Sequence, residues 1–225
     1  HPVFDDVANS FVEAEWILEE EPQDAYDYLY DQIVSLGELL STKIVAAYLV
    51  HTGMQAKWID ARDYIQTDNT HREGKVNWQL TEDKIRRDLP EILDEHVVIT
   101  QGFIGSTSEN FTTTLGREGS DYSAAIFASC LNAEDITIWK DVPGVLNADP
   151  KWFAETELIP ELSYTDAIEL TYYGATVIHP KTIKPLQNKK ITLNVRSFIN
   201  PEKAGTVIRT TNQTLPVPSF IFKVD

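Results

Sequence analysis

Residues 112–125 read Thr-Thr-Thr-Leu-Gly-Arg-Glu-Gly-Ser-Asp-Tyr-Ser-Ala-Ala, a polar, glycine-bearing run that leads into a small-residue apolar stretch. The pattern predicts a loop opening a helix. A helix start presents backbone N–H groups with no partner inside the helix, and a partial positive charge, so it attracts anions. Arg117 adds a planar, permanently charged fork that can hold a carboxylate or phosphate through two parallel hydrogen bonds. Asp121 supplies the opposite charge. An anion holder beside a cation holder suits a zwitterionic small molecule. A purely local reading competes, in which Ser120 or Asp121 caps the helix and the rest is a turn.

The surrounding chain decides what kind of fold carries this loop. Upstream, residues 96–100 (His-Val-Val-Ile-Thr) predict a buried strand that runs into a glycine loop, Gly102-Phe103-Ile104-Gly105. Downstream, the helix over 122–131 is followed by strands at 135–139, 191–195 and 206–208, with a helix over 164–173 capped by Ser163. Val7, Phe11, Ala14 and Leu18 recur at helical spacing. An acidic helix through Tyr26 and Leu29 and a separate one from Glu38 through Tyr48, ending near Gly53, are expected next. Residues 57–59 begin a strand-like texture, and Thr81 reads as the N-cap of another helix. Alternation of strand, loop and helix predicts an α/β fold: a three-layer αβα sandwich around a mainly parallel sheet. Ligands of such sheets sit at the C-terminal strand ends. Gly102, Gly105, the Arg117 loop and Asp141 fall there.

Composition narrows the function classes. The 225-residue chain carries a formal charge of −16, which argues against nucleic acid and anionic membranes as partners. Any anion site must therefore be built locally, as the Arg117 loop is. The single cysteine, Cys130, permits no internal disulfide and suits packing in a reducing compartment. No stretch is expected to span a membrane and no signal-peptide pattern is seen, so a cytoplasmic location is expected.

Further patterns lie at element ends. Gly37-Glu38-Leu39-Leu40-Ser41 places a carboxylate in an expected first helical turn with Ser41 on the same face. Trp139-Lys140-Asp141-Val142-Pro143-Gly144-Val145 runs from strand into turn and is followed by Asn147-Ala148-Asp149-Pro150. Tyr173-Gly174-Ala175-Thr176-Val177-Ile178-His179-Pro180 breaks a helix. Taken in order, these motifs resemble the aspartate kinases of the amino-acid kinase family, over a span from about Glu38 to Ile208. Glutamate, acetylglutamate and uridylate kinases share the fold, but the full Arg117 loop is not expected in them.

The resemblance implies the amino-acid kinase (carbamate kinase-like) fold and ATP-dependent phosphorylation of the L-aspartate β-carboxylate. That reaction opens the routes to lysine, threonine and methionine. It implies that Arg117 clamps the substrate α-carboxylate, that Glu38 and Asp121 receive its ammonium group, and that Ser120 lies near the transferring group. Ser120 and Asp121 are thus the catalytic candidates. Lys140, Asp141, Leu146, Lys151, Thr176 and Val177 are the nucleotide candidates, with ATP and Mg²⁺ as cofactors, no resident protein-bound metal cluster, and a homodimer in the full-length protein. No general base is nominated, and His179 is expected to orient a turn.

The pattern is also departed from. Many relatives have threonine at Lys140 and lysine at Thr176, and Lys140 is expected to restore the charge missing at Thr176. The family's N-terminal strands and their Lys-Phe-Gly-Gly-Thr-Ser phosphate loop are not among these residues. The chain is therefore expected to be a partial catalytic domain over 1–212, with 213–225 a linker toward a regulatory domain, inactive or weakly active by itself. The alternatives are a non-catalytic binding or assembly module of the same fold, or a related amino-acid kinase.

Overall fold

The structure, a computed structural model, describes residues 2–19, 25–153, 155–172 and 177–211. The chain divides into two compact units, His1–Ser123 and Ala124–Asp225, and each is described by itself. The segment 213–225, expected to be a linker, lies outside the described residues.

The first unit contains helices α1 (Pro2–Glu19), α2 (Tyr26–His51), α3 (Ala61–Tyr64) and α4 (Trp78–Glu95). Its strands are β1 (Ala56–Trp58), β2 (Val97–Ile99), β3 (Ile104–Ser106) and β4 (Thr112–Thr114), and it ends in the first turn of α5 (Gly119–Leu131). β1 pairs with β2 in parallel, and β3 pairs with β4 antiparallel with Ile104 opposite Thr114. Leu36 and Leu39 of α2 pack on Ala61 and Ile104, with Trp58 and Phe103 against them.

Three local expectations are corrected here. α2 is continuous through Gly37, so Glu38 sits mid-helix rather than in a first turn. A helical glycine costs about 1 kcal/mol against alanine, but Leu36 and Leu39 flank it and bury one stripe. That burial offsets the penalty. Gly37 itself is exposed with open space around it. The second correction concerns Thr81, which lies inside α4 and not at its cap. Asn77 caps the helix, accepting from the Leu80 N–H at 3.2 Å, while the buried Thr81 hydroxyl accepts from the Gln66 N–H at 3.1 Å. Finally, Ile104 and Gly105 belong to β3 and not to a glycine loop. A Cβ at Gly105 would lie 2.7 Å from the Ile65 carbonyl, so only glycine lets β3 approach the end of α3.

α2 also departs from the expectation about membranes. By length and composition it is the one described helix long and apolar enough to cross a bilayer. Asp31 and Gln32 of this helix nevertheless bond to β4 of the same unit.

The second unit contains β5 (Asp135–Lys140), β6 (Glu161–Leu162), α6 (Tyr164–Tyr172), α7 (Pro180–Lys189), β7 (Thr192–Ser197) and β8 (Thr206–Ile208). Its sheet has the order β5-β7-β8-β6, with β5–β7 and β6–β8 parallel and β7–β8 antiparallel. Alternate residues Ile136, Ile138, Leu193 and Val195 enter the core beside Ile159, Leu162, Ile183 and Leu186. Ser163 caps α6 as expected, accepting from the Asp166 N–H at 3.0 Å. His179 caps α7, its Nδ1 accepting from the Lys181 N–H at 3.2 Å, and Pro180 occupies the first turn. The histidine is thus a turn-orienting residue. Cys130 is buried.

Candidate functional site

The Thr112–Thr114 strand delivers the chain into a tight turn before α5. Gly116 has φ +76° and Glu118 has φ +52°, and the Gly119 N–H donates to the Gly116 carbonyl at 3.0 Å. These two left-handed residues, one on either side of Arg117, reverse the chain so that α5 starts immediately. Arg117 stands at the apex, exposed, and no hydrogen bond or ion pair from the described residues holds its guanidinium. Ser120 is exposed in the first turn of α5 and its hydroxyl makes no hydrogen bond among the described residues. Asp121 is half-buried in the same turn. Ser120 and Asp121 are therefore helical residues of the first turn, not caps preceding it.

A residue missed in the sequence braces this turn from below. Phe103 has φ +71°, a left-handed backbone conformation that costs a bulky non-glycine residue about 1–3 kcal/mol. Its carbonyl accepts from the Leu115 N–H at 2.8 Å, and its N–H donates to Ser123 Oγ at 2.9 Å. One residue thereby grips the chain on both sides of the Arg117 turn. The approach is so close that a Cβ at Gly119 would lie 2.6 Å from the Phe103 ring. A Cβ at Gly102 would lie 2.8 Å from Ser120 Cα. Phe103 also packs against the cluster holding Leu36 and Leu39, so the turn of α2 bearing Glu38 and the start of α5 share one aromatic neighbour.

Among the described residues the half-buried Glu38 carboxylate has no side-chain partner, while Ser41 is exposed and its hydroxyl donates to the Glu38 carbonyl of its own helix. Burial pushes the Glu38 pKa above the usual carboxylate range. With a folded pKa above the unfolded one, ionised Glu38 costs stability at neutral pH, and that cost disappears as pH falls below the unfolded value. Glu38→Gln is expected to raise the thermal midpoint slightly at pH 7–8 and to leave it unchanged near pH 3.5. A lower midpoint at pH 7–8 in differential scanning fluorimetry would contradict the burial argument.

In the second unit, Lys140 closes β5, with its carbonyl accepting from the Phe198 N–H at 2.9 Å, and Asp141 is exposed just beyond. The loop that follows is pinned at its base. The Val145 N–H donates to Thr206 Oγ1 at 2.9 Å, and that hydroxyl donates to the Ile159 carbonyl at 2.7 Å. Gly144, at φ +144°, allows Thr206 Oγ1 to come this close. Leu146 is half-buried and bridges to Leu158, Lys151 is exposed, and Val177 is half-buried. Thr176 lies outside the described residues. Among the described residues no group of three or more His, Cys, Asp or Glu could cage a metal. Mg²⁺ in phosphoryl transfer is held mainly by phosphate oxygens and one or two carboxylates. The exposed Asp141 could supply such a carboxylate.

These positions match a known architecture. The model of the amino acid kinase family matches residues 5–197. The chain belongs to the amino acid kinase family. Within it, the chain is 36% identical over 189 residues to lysine-sensitive aspartokinase 3 of Escherichia coli, covering 84% of this chain and 42% of that protein. The structure of E. coli aspartokinase III in complex with aspartate and ADP superposes with a TM-score of 0.88 at 33% identity, over 93% of this chain and 47% of that one. Carbamate kinase from Giardia lamblia bound to AMP-PNP, at 10% identity and TM-score 0.54, shares the fold alone. The chain thus spans less than half the length of the aspartokinases it matches. The amino-acid kinase fold expected from the motifs is the fold observed, with three parallel and two antiparallel strand pairings among the described residues.

Proposed function

We propose that this chain carries substrate-binding residues of an aspartate kinase, which transfers the γ-phosphoryl group of ATP to the β-carboxylate of L-aspartate, releasing ADP. The observation that carries the reading is Arg117, unpaired and exposed at the apex of a turn braced on both sides, with Asp121 and Ser120 in the helical turn behind it. A guanidinium held out without a partner in a chain of charge −16 is set up for an external anion. The half-buried, unpartnered Glu38 is its counterpart for an ammonium group. An N-acetylated substrate has no cation for Glu38 and Asp121 to receive, which favours a free amino acid.

The chemistry asks little of the protein beyond placement and charge. The β-carboxylate is already nucleophilic, so no general base is required. Arg117 holds the α-carboxylate, Glu38 and Asp121 the ammonium, and Ser120 offers its free hydroxyl toward the transferring group. Lys140, Asp141, Leu146, Lys151, Thr176 and Val177 serve the nucleotide. Mg²⁺, when bound, neutralises charge on the phosphate oxygens. The product suits the opening step toward lysine, threonine and methionine, in the cytoplasm and in a homodimeric parent. The hydrogen bonds of Asp31 and Gln32 with β4 support packing of α2 within its own unit rather than in a membrane.

ATP-dependent formation of aspartyl hydroxamate, measured on this chain and on its full-length parent, tests the reading. Product from L-aspartate alone, and not from L-glutamate or N-acetylglutamate, is expected of the parent. Silence of the parent would refute the kinase and leave a binding or assembly module. The aspartate KM is also expected to climb on acidification from a higher pH than an ordinary glutamate dictates, because Glu38 must be ionised. Glu38→Gln should flatten that limb and raise the aspartate KM about tenfold at pH 8. An unchanged acid limb in the variant would remove Glu38 from the site.

A further inference from the structure

The free Glu38 stands in a row with three other polar residues of α2. Asp31, Ser35, Glu38 and Thr42 follow one another at helical spacing, so they share one face of the helix. Asp31 and Glu38 are two turns apart, about 10 Å along the axis. Asp31 is fully buried and accepts three hydrogen bonds, from Thr114 Oγ1 at 2.7 Å, the Arg72 N–H at 2.9 Å and His71 Nδ1 at 3.0 Å. Its neighbour Gln32 brackets the main chain of Thr112, donating to the carbonyl at 2.8 Å and accepting from the N–H at 3.3 Å. The Thr114 carbonyl in turn accepts from the Gly74 N–H at 2.8 Å, so the 71–74 segment is clamped to the same strand end. Thr114 is the last residue of β4, and the turn bearing Arg117 begins directly after Leu115.

We propose that Asp31 is a positioning residue for substrate binding. It fixes the end of β4 to α2, and so sets the Arg117 guanidinium at a defined distance from the Glu38 carboxylate carried by the same helix. A buried carboxylate needs several donors to be tolerated, and here those donors come from the two segments that flank Gly116. A Cβ at Gly116 would lie 3.2 Å from the Arg72 carbonyl, which shows how closely the clamped 71–74 segment borders the turn. Asp31 itself is sealed from solvent and touches no substrate. Its effect passes through Thr114. The inference rests on the proposed aspartate kinase activity.

Asp31→Ala strands three donors, the Thr114 hydroxyl among them buried, and can unfold the unit, so Thr114→Val and Thr114→Ser in the full-length parent test the same bond from its other end. Thr114→Val keeps the shape and removes the hydroxyl. It is expected to raise the aspartate KM about tenfold while kcat and the ATP KM stay within twofold, and Thr114→Ser is expected to restore the wild-type value. Amide hydrogen exchange should quicken across 112–119 in Thr114→Val, with 135–140 unchanged. An aspartate KM within twofold of wild type, equal rises in both KM values, or unchanged exchange at 112–119 would each overturn the role of Asp31. If the wild-type parent shows no aspartate-dependent ADP release, the kinase reading fails, and the exchange measurement still decides whether Asp31 holds the turn.

Discussion

Arg117→Ala is expected, on the proposed aspartate kinase reading, to lower kcat/KM for L-aspartate by about 100-fold or more in the full-length parent. A bidentate contact between a guanidinium and a carboxylate contributes about 3 kcal/mol, taking each charge-assisted hydrogen bond at the low end of its range, and about 1.4 kcal/mol is a factor of ten. The substrate α-carboxylate keeps its charge throughout phosphoryl transfer. The contact therefore stabilises ground and transition states alike, so the loss should appear in KM more than in kcat. Arg117→Lys, which keeps the charge but not the fork, should fall between the two. Stability should barely change, within about 0.5 kcal/mol, because Arg117 is exposed and bonds to nothing. Steady-state kinetics against both substrates check this, with the ATP KM as the internal control. An aspartate KM within threefold of wild type in Arg117→Ala would take the anion-holding role away from this residue.

Gly102→Ala should damage both the fold and the site. The added methyl would lie 2.8 Å from Ser120 Cα and Cβ and 2.9 Å from its hydroxyl. The obstacle is the backbone of the first turn of α5 rather than a flexible side-chain end. Either the 101–103 segment or the start of α5 must move. Overpacking of this kind costs about 1–3 kcal/mol, and displacing a substrate-binding group by about 1 Å can cost about 100-fold in rate. A fall of several degrees in the thermal midpoint, with a kcat/KM loss of about 10- to 100-fold, is the expected result. Gly37→Ala is the matched control, since that glycine lies mid-helix with nothing within 4 Å of the new methyl. It should gain about 0.5–1 kcal/mol and leave the kinetics alone. If Gly102→Ala proved as harmless as Gly37→Ala, the close approach of the Phe103 segment to α5 would have no functional meaning.

The two glycines also show how far the sequence could be read. Gly37, followed by an acidic residue and a serine, looks like a helix boundary in local terms. It is not one, because α2 is held on both sides of it by tertiary contacts that outweigh a penalty of about 1 kcal/mol. Thr81 misleads for a similar reason. Its hydroxyl suits a cap, but the main chain of Gln66, fifteen residues away, takes it, and Asn77 caps instead. His179 and Ser163 were legible because each bonds within three residues of itself, where spacing and side-chain type suffice.

What the sequence determined by itself was the alternation of strand and helix, the family membership carried by a dense run of motifs, and the residues of the Arg117 turn. These are contiguous features, and contiguous residues constrain one another through backbone geometry alone. The tertiary structure decided the rest: that α2 is one helix, that Phe103 grips both sides of the turn with a strained backbone, and that Asp31 reaches Thr114 across 83 residues of chain. Hydrogen bonds of that span have no local period or composition to announce them. They exist only once apolar burial has brought α2 against β4, and that packing is what places a buried carboxylate within reach of the strand that leads into the Arg117 turn.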